Sequence, residues 1–295
     1  MIKQPRFDNR EGKIFLNNKF ISWEDSKIHT LNHSLHYGSS CFEGIRIYNG
    51  KIFKNKEHAE RLLFSASTLD LAPEFTPNQI QEICIDLCKK NNILNGYIRP
   101  LFWRGSEEML IGTTNLIPQF SVAAWSWPQY SEQKKMDGKH LIVAKYKRPS
   151  PESGPVFSKI GGLYVASTLV KNDATKHGFD DCIMLDYRNY IAESSTSNIF
   201  FVFGGEIHTP IADCFLNGIT RQTVILLAKE LGYKVIERHI KLEEIEKAED
   251  AFLTGTAAEV SKISSVTLRD LKTRYDFQNN QVSHHLIKEY KNLVK

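Results

Sequence analysis

Two turn pairs, Asn17-Asn18 and Asn49-Gly50, each set inside a short strand-like run, commit the start of this chain to antiparallel hairpins over Lys13–Ile21 and Ile45–Phe53. Asparagine and glycine tolerate the positive φ that two-residue hairpin turns require, so such pairs are strong local signals. Helical periods follow. Apolar residues at positions 59, 62, 63, 66 and 69 put one face on a helix over Asn55–Leu71, with Pro73 just beyond it. Thr76-Pro77 supplies an N-cap and an N1 proline for a second helix reaching Lys90, with Ile80, Ile83 and Leu87 on one face. Strand-like runs come next, at Tyr97–Trp103 and Gln119–Trp127.

The stretch Tyr130–Gly138 (YSEQKKMDG) is polar, charged and ends in glycine, which is the composition of a linker. Beyond it come a strand at His140–Tyr146, a helix over Leu163–Lys176 closed by His177-Gly178, and strands at Cys182–Asp186 and Ile199–Phe203. A helix over Ile219–Leu231 stops at Gly232, and a strand at Tyr233–Glu237 follows. There is no internal repeat. The expected architecture is two unequal α+β domains, residues 1–129 and 139–295, joined by the linker at 130–138. A length of 295 residues, near where single cores divide, agrees with that.

Composition narrows the functional classes. Apolar and charged fractions of 41% and 24% are those of a soluble globule. A net charge of +4, with no Lys/Arg block interleaved with aromatics, argues against nucleic acid and is compatible with small anionic substrates. No stretch approaches the roughly 18 apolar residues of a membrane span, and Met1–Lys13 lacks a signal-like apolar core. A cytoplasmic protein is expected. The five cysteines, Cys41, Cys84, Cys88, Cys182 and Cys214, form no CxxC pair and are odd in number, so free buried thiols in a reducing compartment are expected. His29, His33 and His36 have no matching carboxylate or thiol cluster and read as structural, with no metal.

Four local features could carry chemistry. Lys159 precedes Ile160 and two glycines, which permit a close approach of backbone to a flat ring. Glu193 lies in a polar cluster, Ile191 to Asn198, between two apolar strands; it could be a connecting loop whose hydroxyls bond their own backbone, yet a carboxylate there is costly unless it meets a cation or an N–H. Asn217-Gly218-Ile219-Thr220-Arg221 starts a helix, a natural anion site, although Thr220 could equally be a plain N-cap. Thr254-Gly255-Thr256-Ala257-Ala258-Glu259 is a small-residue break after the strand-like Ala251–Leu253 and could be a tight turn or a second wall of an anion cradle. An amine, a carboxylate and two hydroxyl-bearing turns are the groups that pyridoxal phosphate needs for its aldehyde, ring nitrogen and phosphate.

These features, in this order, resemble the fold-type IV pyridoxal-phosphate enzymes, and specifically the branched-chain amino acid aminotransferases. The likeness also takes in His36-Tyr37-Gly38, Phe42-Glu43-Gly44-Ile45-Arg46, Glu57 to Leu62 and Tyr97-Ile98-Arg99-Pro100. It implies a smaller N-terminal α/β domain and a larger C-terminal pseudo-barrel domain that binds pyridoxal 5'-phosphate, in a homo-oligomer. It further implies that Lys159 holds the cofactor covalently and then, its pKa lowered by desolvation, moves a proton at the amino-acid Cα. Glu193 would pair with the ring nitrogen, and Tyr164 and Asn198 would serve the ring hydroxyl. Arg61, Gly218, Ile219, Thr220, Gly255 and Thr256 would hold the phosphate. The implied substrate side comprises Tyr37, Phe42, Gly44, Arg46, Tyr97, Arg99, Trp127 and Tyr130, with Thr256, Ala257 and Ala258 near the substrate carboxylate. The implied reaction moves the amino group of leucine, isoleucine or valine to 2-oxoglutarate.

Three positions depart from the branched-chain pattern. Leu163 stands where asparagine is usual, Asn217 where a proline is usual, and the Glu193 loop is rich in serine and threonine. That loop is similar to those of D-amino acid aminotransferases and aminodeoxychorismate lyases, which with the amine transaminases are the alternative activities. Arg99 is followed by Pro100-Leu101, not by the Arg-x-His of D-specific enzymes. A nicotinamide oxidoreductase would need a GxGxxG fingerprint, and none occurs.

Overall fold

The computed structural model describes residues 6–112, 115–127 and 135–295. The chain divides into two compact units, Met1–Gln129 with Ser158–Leu163, and Tyr130–Phe157 with Tyr164–Lys295.

In the first unit, β1 (Lys13–Leu16) and β2 (Lys19–Ser22) turn at Asn17 and Asn18, at φ 44° and 69°. A short helix α1 (His33–Tyr37) precedes β3 (Ser40–Phe42), and β4 (Ile45–Tyr48) turns into β5 (Lys51–Ile52) at Asn49 and Gly50, at φ 49° and 82°. Helices α2 (Asn55–Ser67) and α3 (Pro77–Lys90) follow, the latter with a full Thr76/Gln79 capping box, then β6 (Gly96–Arg104) and β7 (Pro118–Ser126). The sheet runs β2-β1-β7-β6-β4-β5, and β3 lies beside β6 beyond the end of β4. Between β3 and β4 the edge of β6 is interrupted at Glu43-Gly44, where Glu43 N donates to Pro100 O at 2.9 Å. A proline fits there because its missing N–H faces the interruption. One face of the sheet is covered by α2 and α3, with Leu62, Ala66, Ile80, Cys84 and Leu87 packed on Ile45, Ile98, Phe102 and Val122.

The second unit contains β8 (Lys139–Val143), α4 (Tyr164–Lys176), β9 (Asp181–Leu185), β10 (Ile191–Ser194), β11 (Asn198–Phe203) and β12 (Glu206–Thr209). After these come α5 (Ile219–Glu230), β13 (Val235–Glu237), β14 (Asp250–Gly255), β15 (Glu259–Thr267), β16 (Arg274–Asp276) and α6 (Gln281–Leu293). The sheet order is β10-β9-β8-β15-β14-β11-β12-β13, and β10 also pairs with β11. The strands from β10 round to β11 therefore close into a ring, the barrel expected of the larger domain. Every ring strand contributes to one apolar cluster, including Leu141, Ile183, Ile191, Ile199, Leu253 and Ile263. On the opposite face, Ile142, Cys182 and Met184 pack against Val170 and Ala174 of α4.

Ile191–Ser194, which reads as part of a polar loop, is a strand; its hydroxyls belong to the turn that follows, where Ser194 Oγ accepts from Ser197 N at 3.0 Å. Ser158–Leu163 follows the linker in sequence yet counts with the first unit. Of the linker, residues 130–134 lie outside the described residues. No helix among the described residues is long and apolar enough to cross a membrane.

Candidate active site

The lysine segment is held along its backbone. Lys159 N donates to Ser65 Oγ at 3.0 Å, Phe42 N donates to Lys159 O at 3.1 Å, and Ile160 bridges Cys41. A Cβ on Gly161 would stand 2.5 Å from Ser40 Oγ and one on Gly162 3.2 Å from Gly38 O, so the glycines serve close packing against the segment before β3. The Lys159 amine lies 5.0 Å from the centre of the Phe42 ring.

Beside this segment is an ion-pair cluster. Glu43 is fully buried; its Oε1 accepts from Arg61 Nε at 2.6 Å, and its Oε2 accepts from Arg61 Nη2 at 2.9 Å and His58 Nδ1 at 2.7 Å. Burial would raise the Glu43 carboxyl, but Arg61 and His58 overcome it and hold the group well below the usual carboxylate range. Burial lowers His58, and Glu43 only partly offsets that, so the imidazole stays neutral and donates from Nδ1. Arg61 is thus aimed by Glu43, a role its place in the sequence motif does not reveal. A signal for it exists in the chain: His58 and Arg61 are one turn apart on α2, facing an acid between two apolar strands.

The expected substrate residues of this unit fall into two groups. Phe42, Tyr97, Arg99 and Trp127 come together: Arg99 lies over Phe42 at 4.7 Å and over Tyr97 at 5.4 Å, and Tyr97 meets Trp127 at 5.2 Å. Gly44 belongs with them, since a Cβ there would collide with the Tyr97 hydroxyl. Arg46 pairs with Tyr97 across β4 and β6, is 3% exposed, and among the described residues its Nε and Nη2 have no hydrogen-bond partner. Tyr37 stands elsewhere. It is exposed on α1, packs on His33 and His36, and its hydroxyl donates to Met109 O. Tyr130 lies outside the described residues.

In the second unit the pairs Glu193↔Asn198 and Asn198↔Thr254 align three side chains in a row across β10, β11 and β14. Directly opposite residues share a face, so this row points away from the cluster of Ile199 and Leu253. Glu193 is buried, with Arg148 Nε 3.3 Å from its Oε1, a partner that chain order gives no hint of. Asn198 braces the start of α5: its Oδ1 accepts from Gly218 N at 3.1 Å and its Nδ2 donates to Leu216 O at 3.0 Å. Any Cβ at Gly218 would collide with that Oδ1. Gly218, and not Thr220, is the N-cap, and no side chain caps the helix. The first-turn N–H groups of Ile219 and Thr220 therefore remain to be served, as an anion would serve them. Arg221 is structural, donating to Asn217, Pro210 and Glu237. Gly255 approaches the Ser197 hydroxyl, Thr256 and Ala258 are half-buried, Ala257 is exposed, and Tyr164 begins α4.

Among the described residues one cluster has metal-ligand spacing, Asp186, Asp213 and Cys214, but Arg188 bridges both carboxylates and supplies the positive charge. The three histidines near the start do not join it.

Residues 40–266 match the family model of the class IV amino-transferases. A protein of Rickettsia felis bearing the name "probable branched-chain-amino-acid aminotransferase" is 43% identical over 283 residues, 96% of each chain. The crystal structure of the branched-chain aminotransferase of Thermoproteus uzoniensis with norvaline superposes with a TM-score of 0.90 at 30% identity, covering 97% of this chain and 95% of that one. The branched-chain amino acid aminotransferase of Escherichia coli gives 0.89 at 33% identity and the same coverage. With its barrel, its lysine segment and its braced helix start in place, this chain belongs to the class IV amino-transferases, the family of the branched-chain enzymes it resembles.

Proposed function

We propose that the chain transfers the amino group of a branched-chain L-amino acid, leucine, isoleucine or valine, to 2-oxoglutarate. Pyridoxal phosphate is the cofactor of the family, and the residues fit it: a buried carboxylate for the ring nitrogen, an uncapped helix start for the phosphate, and a lysine amine over an aromatic ring. The observation that carries the substrate assignment is in the first unit. There the aromatic group of Phe42, Tyr97 and Trp127 suits an aliphatic side chain, and Arg46 and Arg99 are guanidiniums with no carboxylate partner among the described residues. Glutamate and 2-oxoglutarate bring a second carboxylate to them.

When bound, the cofactor supplies a conjugated ring that takes up the electron pair left as Cα loses its proton. Lys159 would hold the cofactor in the resting enzyme, and its amine would carry the proton between the amino-acid Cα and C4′ of the cofactor. Glu193, beside Arg148, would pair with the ring nitrogen. Tyr164 donates to the ring hydroxyl. The N–H groups of Ile219 and Thr220, the hydroxyl of Thr256 and the guanidinium of Arg61 hold the phosphate; Asn198 acts through Gly218 rather than on the ring. Thr256, Ala257 and Ala258 receive the substrate carboxylate and Arg99 the second one.

A second copy of the chain is the partner we assign to the apolar surface of the first unit. Leu31, Leu35, Leu110 and Ile111 are 52%, 64%, 68% and 79% exposed. Their two segments are tied together by His33 Nε2 to Leu110 O and Tyr37 to Met109 O. Five free buried cysteines support a reducing, cytoplasmic setting.

The test mixes the yellow holoenzyme with single amino acids and follows loss of the cofactor absorbance. L-Leucine, L-isoleucine, L-valine and L-glutamate should react; preference for D-alanine or for a simple amine would refute the assignment. Borohydride should fix the cofactor on the peptide containing Lys159.

A further inference from the structure

We propose that Thr254 is a further cofactor-binding residue whose hydroxyl donates to the cofactor phosphate, an inference that rests on reading Glu193, Gly218 and Gly255 as lining that cofactor's site. Thr254 is fully buried in β14, and among the described residues its Oγ1 finds no hydrogen-bond partner. Two other buried threonines of this unit do: Thr209 Oγ1 donates to Ile199 O at 2.8 Å and Thr223 Oγ1 to Ile219 O at 2.9 Å. A buried hydroxyl left unpaired is destabilising, whereas valine would fill the same space without that cost. The hydroxyl is therefore explained by a partner outside the chain.

Its position says which partner. Thr254 stands directly opposite Asn198 and on the same face as Glu193, in the row that leads from the ring-nitrogen acid toward the helix start. The oxygen and the nitrogen of the Asn198 side-chain amide are both already engaged, by Gly218 N and Leu216 O, in bracing the helix start. Thr254 also immediately precedes Gly255 and Thr256, at the phosphate end of the assigned site. A phosphate oxygen accepts from a hydroxyl as readily as from a backbone N–H.

The experiment measures binding of pyridoxal 5'-phosphate and of unphosphorylated pyridoxal to the full chain freed of cofactor, for wild type, Thr254→Val, Thr254→Ala and Thr254→Ser. Thr254→Val should weaken the phosphorylated ligand roughly fivefold to tenfold, about 1 kcal/mol. Pyridoxal binding should stay unchanged, Thr254→Ser should restore affinity, and the cofactor-free Thr254→Val chain should melt at or above wild type. Affinity within twofold of wild type, equal weakening of both ligands, or a lowered melting point of the cofactor-free variant would each overturn the proposal. Should Thr254→Val not fold, Thr254→Ala carries the same ligand comparison. A wild-type chain that binds no pyridoxal phosphate would sink the functional reading itself, whereas normal binding by both wild type and Thr254→Val would sink only the role of Thr254.

Discussion

Replacing Glu43 by glutamine tests whether the buried cluster of the first unit is an ion pair that the fold depends on. The substitution keeps the side-chain shape but removes the charge that faces Arg61 at 2.6 and 2.9 Å and His58 at 2.7 Å. Glutamine also carries an NH2 where Oε1 or Oε2 now accepts, so at least one of the three donors loses its acceptor. Glu43 is fully buried and the Arg61 side chain is 15% exposed, so the guanidinium cannot recover its hydration in place. Removing one member of a buried pair typically costs roughly 3–5 kcal/mol, a large fraction of the stability of a whole domain. At about 3 °C per kcal/mol for a domain of this size, the melting point should fall by about 10 °C. Urea unfolding and calorimetry on the cofactor-free chain read the loss directly. The double variant Glu43→Gln with Arg61→Met should recover a good part of it, because no charge then remains buried without a partner. A Glu43→Gln protein within about 1 kcal/mol of wild type, or a double variant less stable than the single by the full cost of Arg61→Met, would refute this account.

Other perturbations follow from the same geometry. His58 stays neutral in the fold because burial lowers its pKa, so the unfolded chain gains a proton that the folded chain refuses as pH falls below about 6.5. Glu43, held low, adds to acid loss only below the ordinary carboxylate range, so His58→Asn should flatten the stability curve above about pH 5 while leaving the steeper acid limb, and an unchanged curve would exclude the histidine. Arg148→Met should destabilise the cofactor-free chain by about 3 kcal/mol and the loaded enzyme by less, since the protonated ring nitrogen replaces the missing cation beside Glu193; equal losses in paired melts would argue against that pairing. Burial pushes the thiols of Cys41, Cys88, Cys182 and Cys214 up to about 12, so a disulfide reagent at about pH 8 should find no rapidly reacting cysteine in the native protein and five after unfolding.

What can be read from sequence depends on how far apart the interacting residues lie. The turns at Asn17-Asn18 and Asn49-Gly50 and the Thr76/Gln79 cap are set by neighbours and are legible at once. Ring closure is not local: it depends on the antiparallel meeting of β10 and β11 through a serine turn, and hydroxyls that tighten a turn look in sequence like an open loop. The lysine segment shows the same limit in another form, since its backbone partners Ser65 and Phe42 come from the start of the chain while its place in the order suggests the later domain. Within the motifs, residue types name the neighbourhood but leave their tasks open. Arg61 reads as a phosphate ligand and proves also to be aimed by Glu43 in its fork, Asn198 reads as a ring contact and also braces Gly218, and Arg221 sits in the anion-site motif yet donates to Glu237. In each case the deciding partner is 16 to 20 positions away. Thr254 is the limiting case. It heads the small-residue break that reads as a tight turn or an anion-cradle wall, and a task of its own emerges only when buried hydroxyls of the unit are asked where their hydrogen bonds go.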